Sequence, residues 1–124
     1  MARLSSILRG GEGTLSFFCP GCKDVHIIGV DGTYHANWDW NQDVEKPTFR
    51  PSILVRTGHY EPRHKQGDVC WCDVPSPVRG YRCLVCHSFV TEGRIEFLSD
   101  STHELSGQTV PIPEWPYDDT DSSR

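Results

Sequence analysis

Long apolar runs are missing from this 124-residue sequence. A membrane-spanning helix needs about 20 consecutive apolar residues, and the N-terminus lacks the apolar core of a secretory signal, so the chain is expected to stay in the cytosol of its cell. Positive charge is scarce as well: 12 Lys and Arg against 17 Asp and Glu leave a net charge of -5. Proteins that grip nucleic acid through its phosphates need clustered Lys and Arg, which makes nucleic acid an unexpected partner. The local basic spot of Arg50, Arg56, Arg63, His64 and Lys65 reads as a solvated loop. Helical periodicity is also rare, whereas 11 Gly and 9 Pro punctuate the chain. The fold class expected is therefore mainly β: a small, antiparallel, hairpin-rich domain with little helix. Its length suits one domain, residues 1–117, followed by a polar, acidic tail over 118–124 that is expected to be disordered.

What is present is alternation. Residues 14–18 (TLSFF) read as a strand entering a tight turn at Cys19-Pro20-Gly21-Cys22, and Val25 to Val30 read as its hairpin partner. Asp31-Gly32 signals a further turn, and Tyr34 to Trp40 follow as a possible strand with Trp38 and Trp40 on one face. Pro47 and Pro51 bracket an edge or bend before a strand over Ser52 to Arg56. Residues 58–80, holding Cys70 and Cys72, read as a long excursion. Cys83 to Val90 and Arg94 to Leu98 alternate on either side of Thr91-Glu92-Gly93, the sequence of a tight hairpin. Ser101 to Leu105 is expected to form one hydroxyl-capped helical turn ended at Gly107.

Six cysteines in a chain expected to be cytosolic point to metal before disulfides. Cys19-x-x-Cys22 has the spacing of a zinc knuckle, and Cys83-x-x-Cys86 supplies a second pair, so Zn2+ held by four cysteines is the simplest reading of the spacing. His26, His87 and His103 are possible nitrogen ligands. Cys86 and His87 point to opposite faces of a strand and are not expected to share one ion. Cys70-Trp71-Cys72 could reach a second ion together with His59 or His64, although loop cysteines without a ligand role are the favoured reading. A catalytic reading needs an acid or base near an open metal position, and His87, Asp100, His103 and Glu104 around the last hairpin are the candidates. No H-E-x-x-H helix is present. The aromatics, including Trp38, Trp40, Phe49, Trp71 and Trp115, are expected to be mostly core.

Phe18-Cys-Pro-Gly-Cys22 with His26, Trp38-Asp-Trp-Asn41, Pro47-Thr-Phe-Arg-Pro-Ser52 and Cys86-His-Ser-Phe-Val90 together resemble a family of small proteins of tailed bacteriophages and prophages. The resemblance continues through Gly93-Arg-Ile-Glu-Phe-Leu98, Asp100, Thr102-His103 and Gly107-Gln-Thr-Val110. Members often carry the label "ammonia monooxygenase", although nothing in this chain resembles a membrane copper enzyme. The resemblance implies a phage-encoded zinc protein acting in the cytoplasm of the infected host or in the virion. It also implies a ligand set of Cys19, Cys22, Cys86 and His103, whereas the spacing alone keeps Cys83 as the alternative fourth ligand. Position 101, a cysteine in the family's pattern, is Ser101 here. The function expected is a zinc-stabilised module that binds another protein. The alternative is a zinc-dependent hydrolase in which His87 or Asp100 shuttles protons beside an open metal position.

Overall fold

The computed structural model describes residues 2–34, 36–57, 60 and 83–117. Cys70, Cys72, His35, His59 and His64 lie outside the described residues. Within these, nine strands form two antiparallel sheets: β1 (Ala2–Arg3), β2 (Arg9–Gly11), β3 (Thr14–Cys19) and β4 (Asp24–Gly29) in the first, and β5 (Asp39–Trp40), β6 (Phe49–Arg56), β7 (Val85–Thr91), β8 (Arg94–Phe97) and β9 (Thr109–Pro111) in the second. Each sheet runs in chain order, so within a sheet every strand pairs with its sequence neighbours. The mainly β expectation holds, and no described helix is long and apolar enough to cross a membrane.

Alternation explains the layers. On β7, Cys86, Ser88 and Val90 are buried, while Val85, His87 and Phe89 are half-buried on the other face. Ile95 and Phe97 of β8 continue the inward face. They meet Leu15, Phe17 and Cys19 of β3 in one core, where Phe17 and Phe49 stack with ring centroids 6.1 Å apart. The β7–β8 hairpin closes through Glu92 and Gly93, both at positive φ (47° and 78°) between the paired Thr91 and Arg94, as a two-residue turn matched to the twist of the strands requires.

The structure departs from the sequence reading in two places. The strand expected over Tyr34 to Trp40 shrinks to Asp39–Trp40. The Asp31 carboxylate accepts from Thr33 N–H and Oγ1–H, and the Asn37 amide oxygen accepts from Gly32 N–H, so side chains satisfy this backbone in turns instead. The helical turn at 101–105 is a set of turns, because the hydroxyls of Ser101 and Thr102 bind the backbone of β7 rather than cap a helix.

One irregularity matters for the site. Phe49 pairs with Val90 and Ile53 with Ser88, which leaves Arg50, Pro51 and Ser52 opposite Phe89 alone. Pro51 has no N–H to give, and the Arg50 guanidinium supplies donors in this stretch, to Phe49 O at 2.8 Å and Val90 O at 2.9 Å. A bulge of this kind re-aims the side chains that follow it. Ser52 is the last residue within it.

Candidate functional site

The two sheets meet at a cluster of sulfur and nitrogen. Cys19 ends β3, Cys22 sits in the turn after it, His26 lies on β4 and Cys86 on β7; all four are buried, and their ligand atoms lie within 4.8 Å of one another. The turn is a knuckle: Lys23 N–H returns to Cys19 O at 2.8 Å, Lys23 takes a positive φ of 57°, and Cys22 N–H donates to Cys19 Sγ at 3.4 Å. Bond lengths of about 2.3 Å to sulfur and 2.0–2.1 Å to nitrogen place tetrahedral donors about 3.8 Å (S···S) and 3.6 Å (S···N) apart. The cluster shows Cys19–Cys86 at 3.9 Å, Cys22–His26 at 3.5 Å and Cys86–His26 at 3.9 Å, so the donor set fits a tetrahedral ion.

The thiols respond to this crowding. Hydrogen bonds from Cys22 and then Cys86 draw the Cys19 thiol well below its ordinary range, while Cys19 and then Cys22 push the Cys86 thiol well above it. The two thiols are thus pulled in opposite directions, Cys19 toward the thiolate and Cys86 toward the thiol. A cation among the sulfurs would stabilise all of them as thiolates.

His103 stands beside this group rather than in it. Its Nδ1 accepts Leu105 N–H at 3.2 Å, so in the neutral ring Nε2 carries the proton and donates to Cys86 Sγ at 3.4 Å. The ring packs edge-on against Phe97 at 4.6 Å and lies so close over the knuckle that a Cβ at Gly21 would collide with it. Cys83 is half-buried and outside the four-residue group; in a nearly extended chain, residues three apart point to opposite faces. Within the four-residue group the nitrogen is that of His26, and His103 Nε2 approaches the same group at Cys86 Sγ.

On the opposite face of β7, His87 turns away from the cluster. Its Nδ1 lies 3.0 and 3.2 Å from the two carboxylate oxygens of Asp100, and its Nε2 lies 2.9 Å from Ser52 Oγ. Since the carboxylate can only accept, Nδ1–H donates to it, and Nε2 is left to accept the Ser52 hydroxyl proton. Ser52, His87 and Asp100 thus form a nucleophile–base–orienter line, the arrangement by which a serine hydroxyl becomes reactive. The His87 side chain is 24% exposed and that of Asp100 58%, so the line opens to solvent at its carboxylate end. Trp38 Nε1–H donates to Ser52 O at 3.2 Å and steadies the Ser52 backbone.

Sequence reasoning placed His87 and Asp100 among the catalytic candidates, but as helpers of a metal-bound water. Ser52 it missed. No G-x-S-x-G signature frames it, and its partner is 35 residues away; the only local hint is its place between Pro51 and the alternating Ile53 to Arg56.

Neither the curated proteins nor the solved structures contain a match to this sequence. A family match exists over residues 3–98, to the family described as "Bacterial ubiquitination-like system serine protease (BubE)". The matched span includes Ser52 and His87 and ends just before Asp100. A family described as a protease points to an enzyme and overturns the expectation of a phage-encoded protein-interaction module; nothing in the match supports a phage origin or the ammonia monooxygenase label. With most of its length inside the match and a serine–histidine–aspartate line built across its second sheet, the chain belongs to the bacterial ubiquitination-like system serine protease (BubE) family.

Proposed function

We propose that the protein is a serine protease in which Ser52 is the nucleophile, His87 the general base and Asp100 the group that orients the imidazole. The observation that carries this reading is the continuous hydrogen-bonded line from Ser52 Oγ through His87 to the Asp100 carboxylate. In the first half-reaction Ser52 Oγ attacks the substrate's acyl carbon, and its proton passes to His87 Nε2. His87 then returns that proton to the leaving group as the bond to it breaks. In the second half-reaction water gives a proton to the same nitrogen and attacks the acyl-serine ester, which releases the carboxylic acid and restores the serine.

The buried cluster is read as a structural zinc site of Cys19, Cys22, His26 and Cys86. Four protein donors complete a tetrahedron and leave no position for a metal-bound water, and the His87 imidazole lies on the far side of β7 from them. A zinc ion held there would crosslink β3, β4 and β7, so its contribution is to folding. This division of labour supports a serine hydrolase over the zinc hydrolase considered from sequence.

The family's description suggests the substrate class: an acyl bond at the tail of a ubiquitin-like protein, where an extended C-terminal segment can cross the exposed face around Ser52 and His87. The protein partner expected from sequence is then a substrate. The test is hydrolysis of a ubiquitin-like protein carrying a C-terminal extension by wild type, Ser52→Ala and His87→Ala proteins of equal metal content. Cleavage by wild type and none by either variant is the expected result. Cleavage that persists in Ser52→Ala would end the reading.

A further inference from the structure

We propose that Ser101 is a positioning residue for the catalytic histidine, an inference that rests on the serine-protease reading above. Strand β8 ends at Phe97 opposite Ser88, and just past its end Leu98 N–H donates to His87 O at 2.8 Å. The Ser101 hydroxyl is the acceptor for the His87 N–H. Its Oγ accepts His87 N–H at 3.0 Å and donates to His87 O at 3.1 Å beside the Leu98 N–H, so one buried side chain touches both main-chain groups of the histidine.

The same tetrapeptide grips β7 at each step. Asp100 takes the His87 imidazole at 3.0 Å; Thr102 Oγ1 accepts Val85 N–H at 2.9 Å, and its N–H donates to Val85 O at 2.9 Å; His103 reaches Cys86 Sγ at 3.4 Å. The carboxylate that orients the imidazole and the hydroxyl that holds its backbone are therefore consecutive residues. Ser101 fixes the separation between Asp100 and His87 that the base needs. Thr102 makes the equivalent bond one register further along, to a residue with no part in the reaction. It is an internal control for a merely structural hydroxyl.

The experiment compares Ser101→Ala, Ser101→Thr and Thr102→Ala with wild type, each checked for metal content and melting temperature. The measurements are kcat and KM on an activated ester, and the imidazole nitrogen shifts of His87, which report the Nδ1–H tautomer. Ser101→Ala is expected to lower kcat by about tenfold or more at nearly unchanged KM, since small misplacements of reacting groups are costly. It should also shift the His87 nitrogens toward mixed tautomers, with Ser101→Thr restoring both and Thr102→Ala altering neither. A Ser101→Ala protein with wild-type kcat and wild-type His87 shifts would overturn the proposal, as would a Thr102→Ala protein that loses as much kcat. If Ser52→Ala proves as active as wild type, the serine-protease reading has failed, and the nitrogen shifts alone then decide whether Ser101 holds the His87–Asp100 pair.

Discussion

Replacing Asp100 by Asn keeps the size of the side chain and removes its charge. The Asp100 carboxylate lies 3.0 Å from His87 Nδ1, so the charge that develops on the imidazole as it takes the Ser52 proton sits about 4 Å from the carboxylate's centre of charge. Coulomb's law at that separation gives about 1 kcal/mol in bulk water and about 4 kcal/mol at the effective dielectric of a protein surface. The carboxylate is more than half exposed, which places the stabilisation in the lower part of that range, roughly 1–2.5 kcal/mol. That corresponds to a loss of roughly five- to seventyfold in kcat, less than buried triads show. The assay is steady-state hydrolysis of an activated ester, with kcat and KM measured separately and the metal content of the variant confirmed. KM should change little, because the carboxylate touches the base and not the substrate. A variant with wild-type kcat would refute the role given to Asp100.

Other predictions test the frame around the triad. Phe49→Ala removes a fully buried ring stacked on Phe17 and should destabilise the fold by about 3–5 kcal/mol, seen as a lower denaturant midpoint. Gly21→Ala places a Cβ against the His103 ring and should displace the donor to Cys86 Sγ, weakening metal retention by about tenfold or more in a chelator competition. Chelation of the metal should unfold the two sheets and abolish activity together, followed by circular dichroism and ester hydrolysis in parallel; a folded, active protein after complete chelation would show that the cluster does not crosslink the fold.

The hairpins were legible in the sequence because their turns and alternation agree. Thr14 to Cys19 and Asp24 to Gly29 flank the knuckle, and Val85 to Thr91 and Arg94 to Phe97 flank Glu92-Gly93. The cysteine knuckle was legible for the same reason, since local spacing alone brings Cys19 and Cys22 together. His26 could be listed but not chosen, because its place in the cluster depends on the pairing of β3 with β4 and on the approach of β7 from the other sheet. The triad was the least legible part. It joins a residue in a bulge, a residue on a strand and a residue in a turn, and only the register of β6 against β7 brings the first two into contact. The turn at Asp31-Gly32 was legible, but the strand expected over Tyr34 to Trp40 forms only at Asp39–Trp40, because the Asn37 side chain bonds the backbone of Gly32 and Tyr34 locally, a competition that apolar alternation does not reveal.

Covalent labelling shows whether Ser52 is the nucleophile. The protein is treated with a fluorophosphonate, which forms a stable phosphonyl ester only with an activated serine, and the modified residue is located by peptide mass spectrometry. A single adduct on Ser52 is expected, absent from Ser52→Ala and strongly slowed in His87→Ala. An adduct on another serine, or undiminished labelling in Ser52→Ala, would contradict it.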